Sequence, residues 1–235
     1  MVLIVALLAS GIHAQNNNEM IRYRSTPGKG IEVSLDSGKS YIKRNAGLPI
    51  RIVYPFSGEE YHALGTIGYD TSQPQRAIIA MDNRLFITQN AGQHWDEISI
   101  PEDFNQSAMI TAAAISSHNP NQIMIGTSFT GFYESTNGGE SWVKVSDLEL
   151  FDFLRRGAGF SEEISGLAYH PQQADVFYFE LGFGGGVFRA EKQNGQVALI
   201  ENASADDPAL YTNRAVLPGD IYRANPMILS GLQRR

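Results

Sequence analysis

Cysteine is absent from the 235 residues, so the chain holds no disulfide, thiolate metal site, cysteine nucleophile or lipid-bearing cysteine. Charged residues are sparse at 18% and lean acidic, with a formal net charge of -7, which argues against phosphate-backbone binding and hence against nucleic acid as partner. Long apolar runs are also missing: nothing approaches the roughly 18 residues of a membrane helix, so no membrane span is expected in the mature chain. What remains is 43% hydrophobic and 10% aromatic, with 23 glycines. That balance excludes disorder and coiled coil, and favours many short strands joined by tight turns over helices with salt-bridged faces.

The one concentrated apolar run is MVLIVALLA, Met1 to Ala9, followed by Ser10-Gly11-Ile12-His13-Ala14 and then the polar Gln15-Asn16-Asn17-Asn18. This is the layout of a secretory signal peptide over residues 1–14; a buried first strand is the plainer alternative. Export without cysteine fits a bacterial periplasm or exterior better than an animal cell surface.

Self-similarity organises the rest. Gly30 to Tyr41, Arg84 to Trp95 and Gly131 to Trp142 share Ser/Thr, then Asp or Asn two residues on, Gly four on and an aromatic seven on. Gly186 to Gly195 is a decayed fourth copy. The corresponding glycines, Gly38, Gly92, Gly139 and Gly195, are 54, 47 and 56 residues apart, a period that belongs to propeller blades. A second ruler precedes each motif. Small apolar segments at 65–69, 111–115 and 164–169 suit an innermost strand crowded near a ring axis. Each is followed by a β-rich run, at 76–81, 122–127 and 175–181.

The fold class predicted is therefore all-β, a propeller of four-stranded antiparallel blades with about four blades recognisable. The blades fall at roughly 20–60, 61–107, 108–160 and 161–218, with 219–235 opening a fifth repeat or supplying a ring-closing strand. Asn225-Pro226 echoes Asn119-Pro120, so the chain reads as a fragment or natural truncation of a longer protein that stops inside a fifth repeat, with a further C-terminal domain expected.

The turn residues have a physical rationale. An oxygen of Asp36, Asn90 or Asn137 accepts from backbone N–H groups two residues on, and Gly38, Gly92 and Gly139 supply positive φ. Tyr41, Trp95 and Trp142 fold back as apolar wedges, with each indole N–H reaching a carbonyl. On this reading Trp142→Ala costs about 3 to 5 kcal/mol, and Ser135→Ala only about 1 kcal/mol.

Ser/Thr-x-Asp-x-Gly-x-x-aromatic, carried by Ser34-Asp36-Gly38-Tyr41, Thr88-Asn90-Gly92-Trp95 and Ser135-Asn137-Gly139-Trp142, resembles the Asp-box (bacterial neuraminidase repeat) family of β-propellers. The resemblance covers roughly residues 20–200, with Asn replacing Asp in two boxes. It implies a fold shared by sialidases, xyloglucan-degrading endoglucanases, sortilin-type receptors and photosystem assembly factors, in which the boxes are structural rather than catalytic. A sialidase would carry Arg-Ile-Pro ahead of the first box; Arg51-Ile52-Val53 follows it and lacks the proline.

No catalytic residue, cofactor or metal ligand is assigned. The acidic doublets Glu59-Glu60, Glu102-Asp103, Glu162-Glu163 and Asp206-Asp207 read as solvated loops, although a glycosidase needs two carboxyl groups about 5 to 9.5 Å apart. His62, His94, His118 and His170 lack metal-ligand spacing, and the last two recur near a turn proline as a repeated structural element. Gly182 to Gly186 widens a turn between strands. The stretch 147–163, DLELFDFLRRGAGFSEE, departs most from the template. Leu148, Phe151 and Leu154 at helical spacing fit a short capping helix. The functional alternative is a binding surface in which Phe151, Phe153 and Phe160 stack and Arg155 and Arg156 form charge-assisted bonds to a glycan or protein ligand. Two functions stay open: an exported noncatalytic binding or scaffolding module, or a glycoside hydrolase with loop carboxylates.

Overall fold

A computed structural model describes residues 21–26, 29–53, 58–60, 64–70, 72–145, 163–182 and 186–202. The signal-peptide segment 1–14, most of the 147–163 stretch, Asp206-Asp207 and the segment 219–235 lie outside the described residues.

Every regular element among the described residues is a strand, and all pairing is antiparallel. β1 (Arg22–Thr26), β2 (Gly30–Ser34) and β3 (Ile42–Lys43) form a three-stranded sheet, and β4 (Arg51–Val53) with β5 (Gly58–Glu60) a separate hairpin. Three four-stranded meanders follow. They are β6 (Leu64–Tyr69), β7 (Ala77–Met81), β8 (Arg84–Thr88) and β9 (Asp96–Ile98); β10 (Ile110–Ile115), β11 (Ile123–Thr127), β12 (Phe132–Ser135) and β13 (Val143–Lys144); and β14 (Ile164–Tyr169), β15 (Val176–Leu181), β16 (Gly186–Gln193) and β17 (Gln196–Asn202). Inner, second, third and outer strands occur in chain order in each, and successive inner strands β6, β10 and β14 lie against one another. This is the arrangement of consecutive propeller blades.

The core lies between blades. On β7, Ala77, Ile79 and Met81 pack toward the first sheet with Tyr23, Ile31, Val33 and Trp95, whereas Ile78 and Ala80 pack toward the second meander with Ile110, Ile123, Ile125 and Tyr133. A strand buried on both faces reads as an unbroken apolar run rather than an alternation, which is why AIIAM, IMIGT and VFYFEL look as they do. A third cluster, with Met124, Phe132, Phe177, Phe179 and Phe188, joins the last two blades, its rings in edge and stacked contact. Each such buried side chain stabilises by about 1.5–3 kcal/mol.

Inner strands are small because they approach closely. A Cβ on Gly68 would meet the Ala113 carbonyl oxygen at 2.2 Å. In a meander the first and third turns lie at one end, and the second turn and the link to the next blade at the other. The box turns therefore share one face with the 70–76, 116–122 and 170–175 turns. The connection 99–109 crosses the opposite face, where Val145 and Glu163, the described ends of the link from the third blade to the fourth, also lie.

The decayed fourth copy is a plain hairpin: β16 and β17 are joined at Asn194 (φ 52°) and Gly195 (φ 78°), the two positive φ values of a type I′ turn. Glu59-Glu60, expected in a loop, lies on β5, where Glu60 pairs with Arg51.

Candidate functional site

The three boxes share one hydrogen-bond pattern. Ser34 Oγ accepts from Gly38 N at 2.7 Å and Asp36 N at 3.3 Å and donates to Asp36 Oδ1 at 2.7 Å, and that oxygen accepts from Ser40 N at 2.9 Å. Thr88 accepts from Gly92 N at 3.0 Å, and Asn90 Oδ1 from His94 N at 3.0 Å. Ser135 accepts from Gly139 N at 2.8 Å, and Asn137 Oδ1 from Ser141 N at 3.0 Å. The expectation that the Asp or Asn oxygen takes an N–H two residues on is thereby corrected. The hydroxyl serves that amide and the one four residues on, while the side-chain oxygen reaches four residues ahead. The glycines have the expected positive φ, at 96°, 75° and 96° for Gly38, Gly92 and Gly139.

Asn replaces Asp without loss because the shared acceptor is one oxygen. The second atom adapts: Ser40 Oγ donates to Asp36 Oδ2 at 2.6 Å, whereas Asn137 Nδ2 donates to Ser141 Oγ at 2.9 Å. The hydroxyls of Ser40 and Ser34, then the Ser40 N–H, hold the Asp36 carboxyl below the usual carboxylate range.

The aromatic wedges are unequal. Trp95 is 1% exposed and donates its indole N–H to the Arg44 carbonyl at 2.8 Å. Trp142 donates to the Ser99 carbonyl at 2.9 Å but is only partly buried. Tyr41 departs from the expectation: it is partly exposed, and its ring lies under the Arg24 guanidinium at 3.9 Å.

The turns after the inner strands repeat with different capping chemistry. Asp70 Oδ1 accepts from Ser72 N and Gln73 N, Ser116 Oγ from His118 N, and His170 Nδ1 from Gln172 N and Gln173 N. His170 thus occupies the Asp70 and Ser116 position. His118 lies two residues further along its turn and bridges blades, its Nε2 3.1 Å from the His170 carbonyl oxygen. No group of acids and histidines among the described residues has metal-binding geometry.

Sequence reasoning missed three buried carboxylates: Asp70, 1% exposed in the turn after β6, and Glu134 and Glu180, each signalled by an acid inside an apolar strand run. Glu134, on β12, points from the third blade into the fourth. Its Oε1 accepts from Gln122 Nε2 at 2.8 Å, Tyr169 Oη at 3.0 Å and Lys192 Nζ at 2.8 Å. Burial, then the Glu134 charge, pushes the Tyr169 hydroxyl well above its ordinary range. Glu180, on β15, is 5% exposed, and burial raises its carboxyl to about 7 against an opposing hydrogen bond from Ser165.

Glu180 lies at the end of β15 nearest the blade-connection face. That face also carries exposed large apolar side chains on its described loops, Met109 at 58% and Phe129 at 43%. Glu102 and Asp103 are exposed there, in keeping with a solvated loop. Of the residues read as a binding surface, Phe151, Phe153, Arg155, Arg156 and Phe160 all lie outside the described residues. The connection that holds them begins after Val145 and ends at Glu163, whose carbonyl accepts from Gly182 N at 2.8 Å.

No protein-family model matches the chain, and no curated protein matches its sequence. Solved structures similar to it include "YCF48 bound to D1 peptide", at 13% identity and a TM-score of 0.48, covering 78% of this chain and 51% of that one. YCF48 from Cyanidioschyzon merolae is similar at 12% identity and a TM-score of 0.46, covering 74% and 50%. The GH74 xyloglucanase from Xanthomonas campestris is similar at 12% identity and a TM-score of 0.37, covering 77% and 37%. The chain spans about half the length of the YCF48 structures.

Proposed function

We propose that the chain is an exported, noncatalytic Asp-box β-propeller that serves as a binding or scaffolding module for a protein or glycan ligand, as part of a longer protein. The observation that carries this reading is the convergence of blade connections and second-to-third-strand turns on one face, where Met109 and Phe129 stand exposed on loops fixed by hydrogen bonds. Function placed on loops that a rigid scaffold positions is the common arrangement in repeat folds. The shared box geometry supports the family assignment, and residues 1–14 support export. Phe151, Phe153, Arg155, Arg156 and Phe160 belong to a connection whose ends reach the same face. The purified chain is expected to show no turnover on a panel of sialosides, xyloglucan and β-glucans while retaining a saturable ligand. Release of reducing sugar or sialic acid would overturn the reading.

One observation favours a glycoside hydrolase as the second reading. Burial pushes the Glu180 carboxyl up to about 7, toward the range in which a general acid works. In that case Glu180→Gln abolishes turnover.

A further inference from the structure

We propose that Met109 and Phe129 anchor a docking surface for a cationic peptide segment bearing an apolar side chain; this rests on the binding-module reading and names its ligand class. The two anchors come from different loops that are fixed to each other: Ser128 N donates to the Met109 carbonyl at 2.9 Å, and Met109 N donates to Ser128 Oγ at 3.0 Å. The Phe129 loop is pinned further. Thr127 Oγ1 accepts from Thr130 N at 2.9 Å and reaches the Gly131 carbonyl at 3.0 Å. Exposed apolar groups on a loop that is already ordered bind with little further entropy cost.

The surroundings set the ligand's charge. Glu102 and Asp103 are exposed in the Met109 loop, and the Asp103 charge reaches Tyr133, which bonds Thr130 in the Phe129 loop. Asp82 is exposed in the β7–β8 turn, which Asn83 ties to the Met109 loop through Ala108 O at 2.8 Å and Ile110 N at 2.9 Å. Glu163 stands at the start of β14. Among the described residues the cations beside these acids are Arg84, which pairs with Glu97 and also feels the Asp82 charge, and Lys144, which lies 6.0 Å over the Tyr133 ring. An apolar pair rimmed by excess carboxylate complements a lysine- or arginine-bearing segment with one aliphatic or aromatic anchor.

The test is to pan the full chain with a random-peptide phage library, then measure fluorescence anisotropy with a selected peptide and with its charge-inverted counterpart, in which Glu replaces each Lys or Arg. Selected sequences are expected to place Leu, Phe or Trp beside Lys or Arg. Phe129→Ser is expected to weaken binding by about tenfold or more. A Glu102→Gln/Asp103→Asn variant should weaken it several-fold at low salt and flatten its salt dependence. Leu35→Ser, at a residue 43% exposed on the opposite face, should bind as wild type. Circular dichroism melts establish that the variants remain folded. The inference is overturned by an acidic or absent consensus, by wild-type binding of Phe129→Ser, or by a dimer that Phe129→Ser dissociates, which would assign the patch to a second copy of this chain. Glycan binding without peptide binding would sink this inference and leave the binding-module reading standing, whereas turnover would sink that reading itself.

Discussion

Trp95 ties the second blade to the first through both of its N–H groups, the indole to Arg44 O at 2.8 Å and the backbone to Ala46 O at 2.9 Å. Trp95→Ala is therefore expected to cost about 3–5 kcal/mol, as large buried aromatic deletions do. Trp142 makes the matching indole bond but keeps part of its surface in water, so Trp142→Ala should cost less, about 1–3 kcal/mol, in place of the larger value its motif position implies. Urea midpoints for the two variants, compared at equal m-value, test the order; equal losses would contradict the unequal burial.

The box hydroxyl is worth more than a single hydrogen bond. Ser135 is 1% exposed and its Oγ accepts from two amides, Asn137 N at 3.3 Å and Gly139 N at 2.8 Å. Ser135→Ala leaves the buried Gly139 N–H without its acceptor, so about 2–3 kcal/mol is expected rather than about 1. Thr136→Ala, at the exposed neighbour, should be close to neutral. Thermal melts of the two variants decide between them.

What was legible in the sequence is what a few consecutive residues determine. The box is a local turn in which Ser135, Asn137, Gly139 and Ser141 satisfy one another, so its spacing survives in the chain. The strands were legible because burial on both faces leaves runs such as AIIAM. The length of the side chain's reach was not, since hydroxyl and amide oxygens offer the same acceptor chemistry to several amides. Contacts between blades were hidden as well: Glu134 and Lys192 are 58 residues apart, and nothing local to either names the other. Tyr41 shares the motif position of Trp95 yet stacks under Arg24, because the ring at that position meets whatever the neighbouring elements supply.

The Glu134–Lys192 pair gives a third expectation. Their side chains are 9% and 12% exposed, and Glu134 also holds Tyr169 and Gln122. Lys192→Met strands the Glu134 charge and should cost about 3–5 kcal/mol, whereas Glu134→Leu leaves Lys192 with Asp175 Oδ1 at 3.9 Å and should cost less. The double variant should cost much less than the sum, because it removes both charges together. A double-mutant cycle in urea that proves additive would show that the pair does not couple the third and fourth blades.

Two glycines separate crowding from backbone conformation. Gly68→Ala places a Cβ 2.2 Å from a backbone oxygen of the adjacent inner strand, which cannot rotate away. Gly195→Ala meets nothing within 4 Å, and carries only the strain of a positive φ of 78°. The second is expected to cost about 1–2 kcal/mol. The first should cost more and disturb the β6–β10 contact, visible as faster amide exchange in both strands. Equal effects would mean that the inner strands are not held at this separation.

Glu180 makes stability depend on pH in the direction opposite to a salt-bridged acid. Burial first, opposed by the Ser165 hydrogen bond, raises its folded-state value to about 7 from 4.5. Between those values the folded chain binds the proton and the unfolded chain does not, so this group's contribution to stability falls as pH rises from about 4.5 to about 7 and is flat on either side. Glu180→Gln keeps the shape and the capacity to hydrogen-bond Ser165 but cannot ionise. Subtracting its urea-derived stability profile from that of wild type should leave a curve that declines across this window. A flat difference would show that the carboxyl titrates at its ordinary value, and would remove the observation that favours the hydrolase reading.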